Sequence, residues 1–297
     1  MARGSMISSR SVCERGVRCG SMHGVSWEDW TWDESLFAGA APYYERGRLP
    51  YSPAVADVFE HALGLDGRGR LLDVGCGPGT VARRLAQLFE AVVGLDPDAG
   101  MLAEAERLAT DQEVANATWV RLRAEELPAG LGRFRVVTFA QSFHWMDRPR
   151  VAGAVRTMLE PDGVVVHVDS AHRDLEWEPP LPEAAIEELR TRWLGKDRRA
   201  GHSVRNTSPS GEPDVFTAAG FAAPDVVAVP DRRLLERTID DLVAERLASS
   251  GTAPHLFGER LAEFERELRE ILAVATPSGR FSVRLPDNIL FVYRPVE

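Results

Sequence analysis

Between Leu71 and Ser170 the chain alternates short apolar runs with helical stretches, and this alternation limits the fold more than any other feature. Parallel strands need long crossovers, and a helix in each crossover covers the sheet, so the pattern reads as stacked βαβ units. The expected strands are Arg70–Val74, Ala91–Asp96, Thr118–Leu122, Val136–Ala140 and Gly163–Ser170. Helices are expected at Thr80–Phe89, Asp98–Thr110 and Arg148–Met158. The strand segments are nearly continuous in Val, Leu and Phe, as strands buried on both faces are. The fold class is therefore α/β, a doubly wound and mostly parallel sheet. Glu160-Pro161-Asp162-Gly163 reads as a turn into the fifth strand.

The decapeptide Leu71-Leu72-Asp73-Val74-Gly75-Cys76-Gly77-Pro78-Gly79-Thr80 ends a buried strand in a glycine-rich turn that opens a helix. Glycines at Gly75, Gly77 and Gly79 let backbone approach a ligand closely, because no Cβ intervenes. At the end of the next strand, Val92-Val93-Gly94-Leu95-Asp96 offers a carboxylate that can accept two hydrogen bonds from a ribose diol. Loop and acid at the carboxyl ends of adjacent strands point to an adenosine-containing ligand. Dinucleotide folds use G-x-G-x-x-G facing a pyrophosphate. The spacing here is G-x-G-x-G, and Asp73 lies two residues before the first glycine. A carboxylate there suits a cation and repels a pyrophosphate. S-adenosylmethionine (SAM), with an ammonium and a sulfonium, fits better than NAD, and an NAD-dependent oxidoreductase is the disfavoured alternative.

With these residues in place the sequence resembles the class I SAM-dependent methyltransferases, from about Leu36 to Arg294, and within them the branch of ubiquinone/menaquinone-pathway and trans-aconitate methyltransferases. The blocks LLDVGCGPGT, VVGLDPDAGML, RAEELP and AQSFHWMD carry the likeness. The resemblance implies a Rossmann-like seven-stranded sheet with its last strand antiparallel, SAM as cofactor and S-adenosylhomocysteine as product. It implies a ribose contact from Asp96 with Pro97 beside it, Met101, Ala124 and Glu125 at the adenine, and Gln141 to His144, Phe143 included, beside the methionine moiety. Many relatives carry Asp at the position of Arg123. A further block, Phe37 to Tyr51, is similar to the N-terminal segment that folds over SAM in such proteins.

Methyl transfer displaces a neutral thioether, so no acid is needed to expel the leaving group; a base is needed only when the acceptor must lose a proton. His144 is the candidate for that base, or else a wall of the cofactor pocket. Tyr44, like Tyr43, either orients the substrate, covers the sulfonium with its ring, or packs the lid. Asp73 either holds the ammonium or scaffolds the loop, and Cys76 reads as a small pocket-lining residue. Trp193, Phe257 and Phe264 are candidates for the acceptor site or for core.

The remaining organisation is expected as a tail at 1–26, a lid segment and first helix at 27–63, the SAM-binding core at 64–170, a mainly helical cap insertion at 171–213, and the end of the core at 214–297. Val55, Val58, Phe59 and Ala62 form one face of the first helix after Pro53. The insertion contains a helix near Pro182–Leu194, followed by a short helix over Phe216–Phe221 and a sixth strand at Asp225–Val229. Leu256–Val274 is amphipathic, with Leu261, Phe264, Leu268 and Leu272 on one face, and Phe281–Arg294 reads as a strand pair around Pro286-Asp287-Asn288.

A net charge of −10 disfavours a nucleic-acid partner. The basic cluster of Lys196, Arg198, Arg199 and Arg205, set among Gly, Ser, Pro and Asn, reads as a solvated loop in preference to an anion site. No run approaches the about 20 apolar residues of a membrane span. Three cysteines, two of them (Cys13 and Cys19) in the tail, give neither a disulfide framework nor a metal site, so the expected compartment is the cytoplasm and no metal is expected. The expected activity is methyl transfer to a small-molecule acceptor, oxygen first with nitrogen or carbon open, by a monomer or homodimer. The glycine loop does not separate this from a non-catalytic SAM-binding protein.

Overall fold

The computed structural model of the protein describes residues 33–170, 175–200, 203–204 and 211–296. The expected tail at 1–26, with Cys13 and Cys19, lies outside the described residues.

Two helices, α1 (Ala41–Gly47) and α2 (Ala54–Leu63), precede a run of β1 (Arg70–Val74), α3 (Thr80–Leu85), β2 (Ala91–Asp96), α4 (Ala99–Asp111), β3 (Ala117–Arg121), β4 (Phe134–Ala140), α5 (Arg148–Thr157) and β5 (Leu159–Ser170). These five strands pair in parallel. The sheet has seven strands in the order β3-β2-β1-β4-β5-β12-β9, where β9 is Asp225–Val229 and β12 is Asn288–Tyr293. β12 runs antiparallel to both neighbours.

Alternation along each strand sends side chains to two separate cores. Leu71, Val136, Val166 and Val168 pack with Val55, Phe59, Val81 and Leu85 of α2 and α3. Leu72, Val137, Phe139 and Val165 pack on the other face with Val151 and Val155 of α5 and with Phe216. This is the doubly wound layering expected of a buried parallel sheet. Helix starts are locally encoded: the Asp98 carboxylate accepts a hydrogen bond from Met101 N at 3.0 Å, and that of Asp147 from Arg150 N at 3.2 Å.

Beside the sheet stands a cap with its own apolar core. It comprises β6 (Trp177–Glu178), α6 (Glu183–Leu194), the two-residue strands β7 (Arg199–Ala200) and β8 (Ser203–Val204), β10 (Leu234–Thr238), α8 (Ile239–Leu247), α9 (Leu261–Ala275) and β11 (Arg280–Arg284). Before β9, α7 (Glu212–Ala218) inserts Phe216 against the sheet core. Ile186, Leu189, Leu242, Phe257, Phe264, Leu268 and Phe281 close the cap core.

Several local expectations are corrected. The closing strands do not pair with each other: β11 joins β10 and β6 in a three-stranded antiparallel cap sheet, while β12 enters the main sheet. Both have a period of two, which reports a buried face and not a partner. The stretch 171–213 is not wholly outside sheet, since Trp177–Glu178 edges that cap sheet. Glu160–Gly163 lies within β5, as an irregularity where the register against β4 shifts between Phe134 and Val136. The buried face of α2 uses Ala56 with Val55 and Phe59, and Ala62 is exposed. The late helix starts at Leu261, because two 3₁₀ turns around Gly258 (φ +56°) precede it. Among the described residues no helix is long and apolar enough to cross a membrane, and no three His, Cys, Asp or Glu side chains gather as metal ligands.

Candidate cofactor site

At the carboxyl ends of β1, β2 and β4 lies a cavity with about 640 Å³ of free space, continuous with solvent. The glycine loop forms one side. Gly75 N and Cys76 N both donate to Leu95 O, at 2.8 and 3.0 Å, which pins the loop to the end of β2. Gly75, Gly77 and Gly79 all have positive φ, at 68°, 54° and 73°. Their reasons for being glycine differ. A Cβ at Gly77 would meet nothing within 4 Å, so only this residue leaves backbone open toward a ligand. A Cβ at Gly75 would come within 2.7 Å of Ser142 Cβ, and one at Gly79 within 2.4 Å of the Trp119 ring. Those two glycines make room for protein, which corrects the expectation that all three open toward ligand.

Asp96 ends β2 and lines the cavity. Its Oδ2 accepts from Gly77 N and its Oδ1 from Asp98 N, both at 2.9 Å. Each oxygen keeps a lone pair for a further donor. Burial raises its carboxyl to about 6, against the two backbone N–H groups that favour the ionised form.

Of the residues expected at the site, Tyr44, Gly75, Gly77, Asp96, Pro97, Met101, Ala124, Glu125 and Gln141 come together on this cavity. Met101 is buried under Ala40, Ala41, Phe37 and Tyr44 of the lid. Glu125 Oε1 accepts from Asp147 N at 2.9 Å and its other oxygen lies 3.6 Å from Arg123. Gln141 adopts φ +55°, a strained region for a side chain with a Cβ.

Four expected residues do not line it. Asp73 sits beneath the loop at 1% exposure, with Thr138 Oγ1 donating to it at 2.8 Å and Ala82 N at 3.2 Å. It scaffolds the strand-to-helix turn, and burial raises its carboxyl to about 6. Cys76 is buried with Sγ near Gly77 O, and burial together with Asp96 and Asp73 pushes the thiol up. Phe143 is fully buried, stacked on Phe216 at 4.8 Å. His144 is half-buried, its ring 4.9 Å from that of Trp145, and is not on the wall. Phe143–Trp145 is a 3₁₀ turn, in which residues three apart eclipse. Ser142 and Trp145 therefore share the cavity side while Phe143 turns inward.

The cavity also takes Phe37, Leu95, Arg123, Ala140, Ser142, Trp145 and Met146. Phe37 and Trp145 meet edge to face at 5.9 Å, joining the lid to the strand-end turn. The turn residues were hidden from sequence reasoning because no period marks a single 3₁₀ turn. Tyr43, by contrast, leaves the site: it packs in the cap core and donates to Glu265 at 3.2 Å. Trp193, Phe257 and Phe264 pack on one another there, with Phe257 and Phe264 centroids 4.0 Å apart, and are not on the cavity wall.

A doubly wound sheet with an antiparallel strand next to its last position, and a ligand crevice framed by a glycine loop and an acid on adjacent strands, defines an adenosine-binding α/β fold. Residues 71–163 match the family model described as a methyltransferase domain. Over this stretch the chain is similar to the class I SAM-dependent methyltransferases, whose cofactor is SAM. An uncharacterized methyltransferase of Mycobacterium tuberculosis is 36% identical over 132 residues, 44% of this chain and 51% of the relative. The ubiquinone biosynthesis O-methyltransferase of Acinetobacter baylyi is 34% identical over 110 residues, 36% of this chain and 46% of that one. The malonyl-[acyl-carrier protein] O-methyltransferase of Enterobacter lignolyticus is 29% identical over 166 residues, 56% of this chain and 59% of that one. The chain spans about half the length of the curated relatives it matches.

Proposed function

We propose that this protein transfers the methyl group of SAM to a small-molecule acceptor, with oxygen as the accepting atom. The observation that carries the reading is Asp96, held by Gly77 N and Asp98 N on the wall of the same cavity as Gly77 and Gln141. The residues present fit the cofactor: Asp96 has acceptor capacity to spare, and Gly77 faces open space.

In this reading Asp96 takes the ribose diol, while Met101, Ala124 and Glu125 flank the adenine. Gly75, Gly77, Gln141 and Tyr44 surround the methionine portion, and Asp73 acts through the loop that it braces. Bound SAM supplies a methyl group on a sulfonium that departs as a neutral thioether. The chain's task is to orient the acceptor and keep water out, for which the lid residues Phe37 and Tyr44 serve. Oxygen as acceptor atom is supported by the two relatives named as O-methyltransferases. The acidic chain, at −10, fits a small acceptor better than a nucleic acid.

Calorimetric titration with S-adenosylhomocysteine, SAM and NADH tests this. Saturable binding of the two sulfur nucleotides alone is expected, with Asp96→Ala weakening it by about 1–3 kcal/mol as the ribose bonds are lost. Binding of NADH alone would replace the reading with a dehydrogenase.

A further inference from the structure

The titratable side chains on the cavity wall are Tyr44, Asp96, Arg123 and Glu125. Asp96 lies at the proposed ribose position, and Glu125 is occupied by Asp147 N and Arg123. His144 is off the wall. Both wall carboxylates are thus engaged, and the next carboxylate lies one side chain behind the wall, past Gln141.

Asp169 is that carboxylate: it is not itself on the wall, but Gln141, which is, bonds to it directly. It sits one residue before the end of β5, beside the carboxyl end of β4, and is half-buried. Gln141 Nε2 donates to Asp169 Oδ1 at 2.6 Å, and Ser170 N donates to the same oxygen at 2.8 Å. Oδ2 receives no hydrogen bond from the described residues. The carboxylate is thus oriented through one oxygen while the other is left for an incoming group. The strained backbone of Gln141, at φ +55°, is what such a functional contact sustains.

Ser52 N donates to Asn288 Oδ1 at 2.7 Å, and Asn288 Nδ2 donates to Ser170 Oγ at 3.2 Å, so the segment carrying Tyr51 is tied to the ends of β5 and β12. Burial pushes the Tyr51 hydroxyl up, and the charges of Asp73 and Asp169 add to it. Among the described residues, Tyr51 from the N-terminal segment, Gln141 from β4 and His167 from the same strand are the groups that face or sense Asp169.

We infer that Asp169 is a catalytic carboxylate that accepts the proton of a hydroxyl acceptor through Oδ2, with Gln141 as its positioning residue. This rests on the methyltransferase reading above. In the step, the acceptor oxygen bonds to the methyl carbon as the carbon–sulfur bond breaks and its electron pair stays on sulfur. The hydroxyl proton passes to Asp169. Taken with oxygen as the accepting atom, the acceptor class is an alcohol or phenol, since a carboxylate acceptor would bring no proton for Asp169 to take.

The test uses SAM carrying a tritiated methyl group, offered with panels of phenols, aliphatic alcohols, thiols, amines and carboxylates, with S-adenosylhomocysteine affinity measured in parallel. Label is expected on hydroxyl compounds. Asp169→Asn, which can still accept from Gln141, is expected to bind S-adenosylhomocysteine as the wild type does and to lose about 100-fold or more in kcat with little change in KM. Asp169→Glu is expected to recover part of the rate. With S-adenosylhomocysteine bound normally, label on only the other classes or on no compound overturns the inference, as does an Asp169→Asn rate close to wild type. Absence of S-adenosylhomocysteine binding to the wild type would instead overturn the cofactor reading, and this inference with it.

Discussion

Glycine serves opposite ends at neighbouring positions of this site. Gly94, within β2, has no unusual φ, yet a Cβ there would come within 2.5 Å of the Trp119 ring and 3.0 Å of Cys76 Sγ. Gly94→Ala is expected to cost about 1–3 kcal/mol by overpacking, read by chemical denaturation, and Trp119→Leu in the same background should restore part of it. Asp96 carries a second residue-scale expectation. The proposed ribose bonds need the ionised carboxylate, so affinity for S-adenosylhomocysteine should fall as pH drops through about 6. The sign for the ligand-free fold is opposite. A carboxyl raised by burial holds its proton more tightly folded than unfolded, so its stabilising contribution is present at low pH and is lost as pH rises through about 6. Asp96→Asn should flatten both dependences between about pH 4 and 6, measured by calorimetry and by thermal denaturation.

Among the elements, the short helix α1 joins all parts of the site. Glu45 on it pairs with the buried Arg83 of α3 at 2.9 Å, and Arg83 also donates to Pro78 O in the glycine loop at 3.1 Å. On its other side Arg237 Nη2 donates to the carbonyls of Arg46 and Gly47, both at 2.9 Å, and Arg46 pairs with Asp241 at 2.6 Å. The helix that offers Tyr44 to the cavity is thereby fastened to loop and cap together. Its Tyr43 faces the cap core, because adjacent helical residues point about 100° apart. Helix α9 holds the cap by one stripe, Phe264, Leu268 and Leu272, each at most 2% exposed. Phe264→Ala is expected to destabilise the protein by about 3–5 kcal/mol, seen as a lowered denaturation midpoint. Because Phe264 does not line the cavity, S-adenosylhomocysteine affinity of the folded variant should be unchanged.

Over the whole molecule, the features legible in the sequence are those whose partners lie close along the chain. The buried strands, the glycine turn and the acid after β2 fall within residues 70–96, and local strand and turn chemistry is enough to bring Gly77 and Asp96 together. The sequence by itself thus determined the layered parallel sheet, the end of it that carries the crevice, and most of the crevice wall from Gly75 to Gln141. Tertiary structure alone decided which sheet receives β11, what Trp193 and Phe264 pack against, that Phe143 turns inward while Trp145 does not, and that Gln141 meets Asp169 across 28 residues. The reason is physical. Hydrophobic period records that a face is buried, but the burial energy is non-directional and names no partner, and the choice among apolar faces is made only when the elements pack.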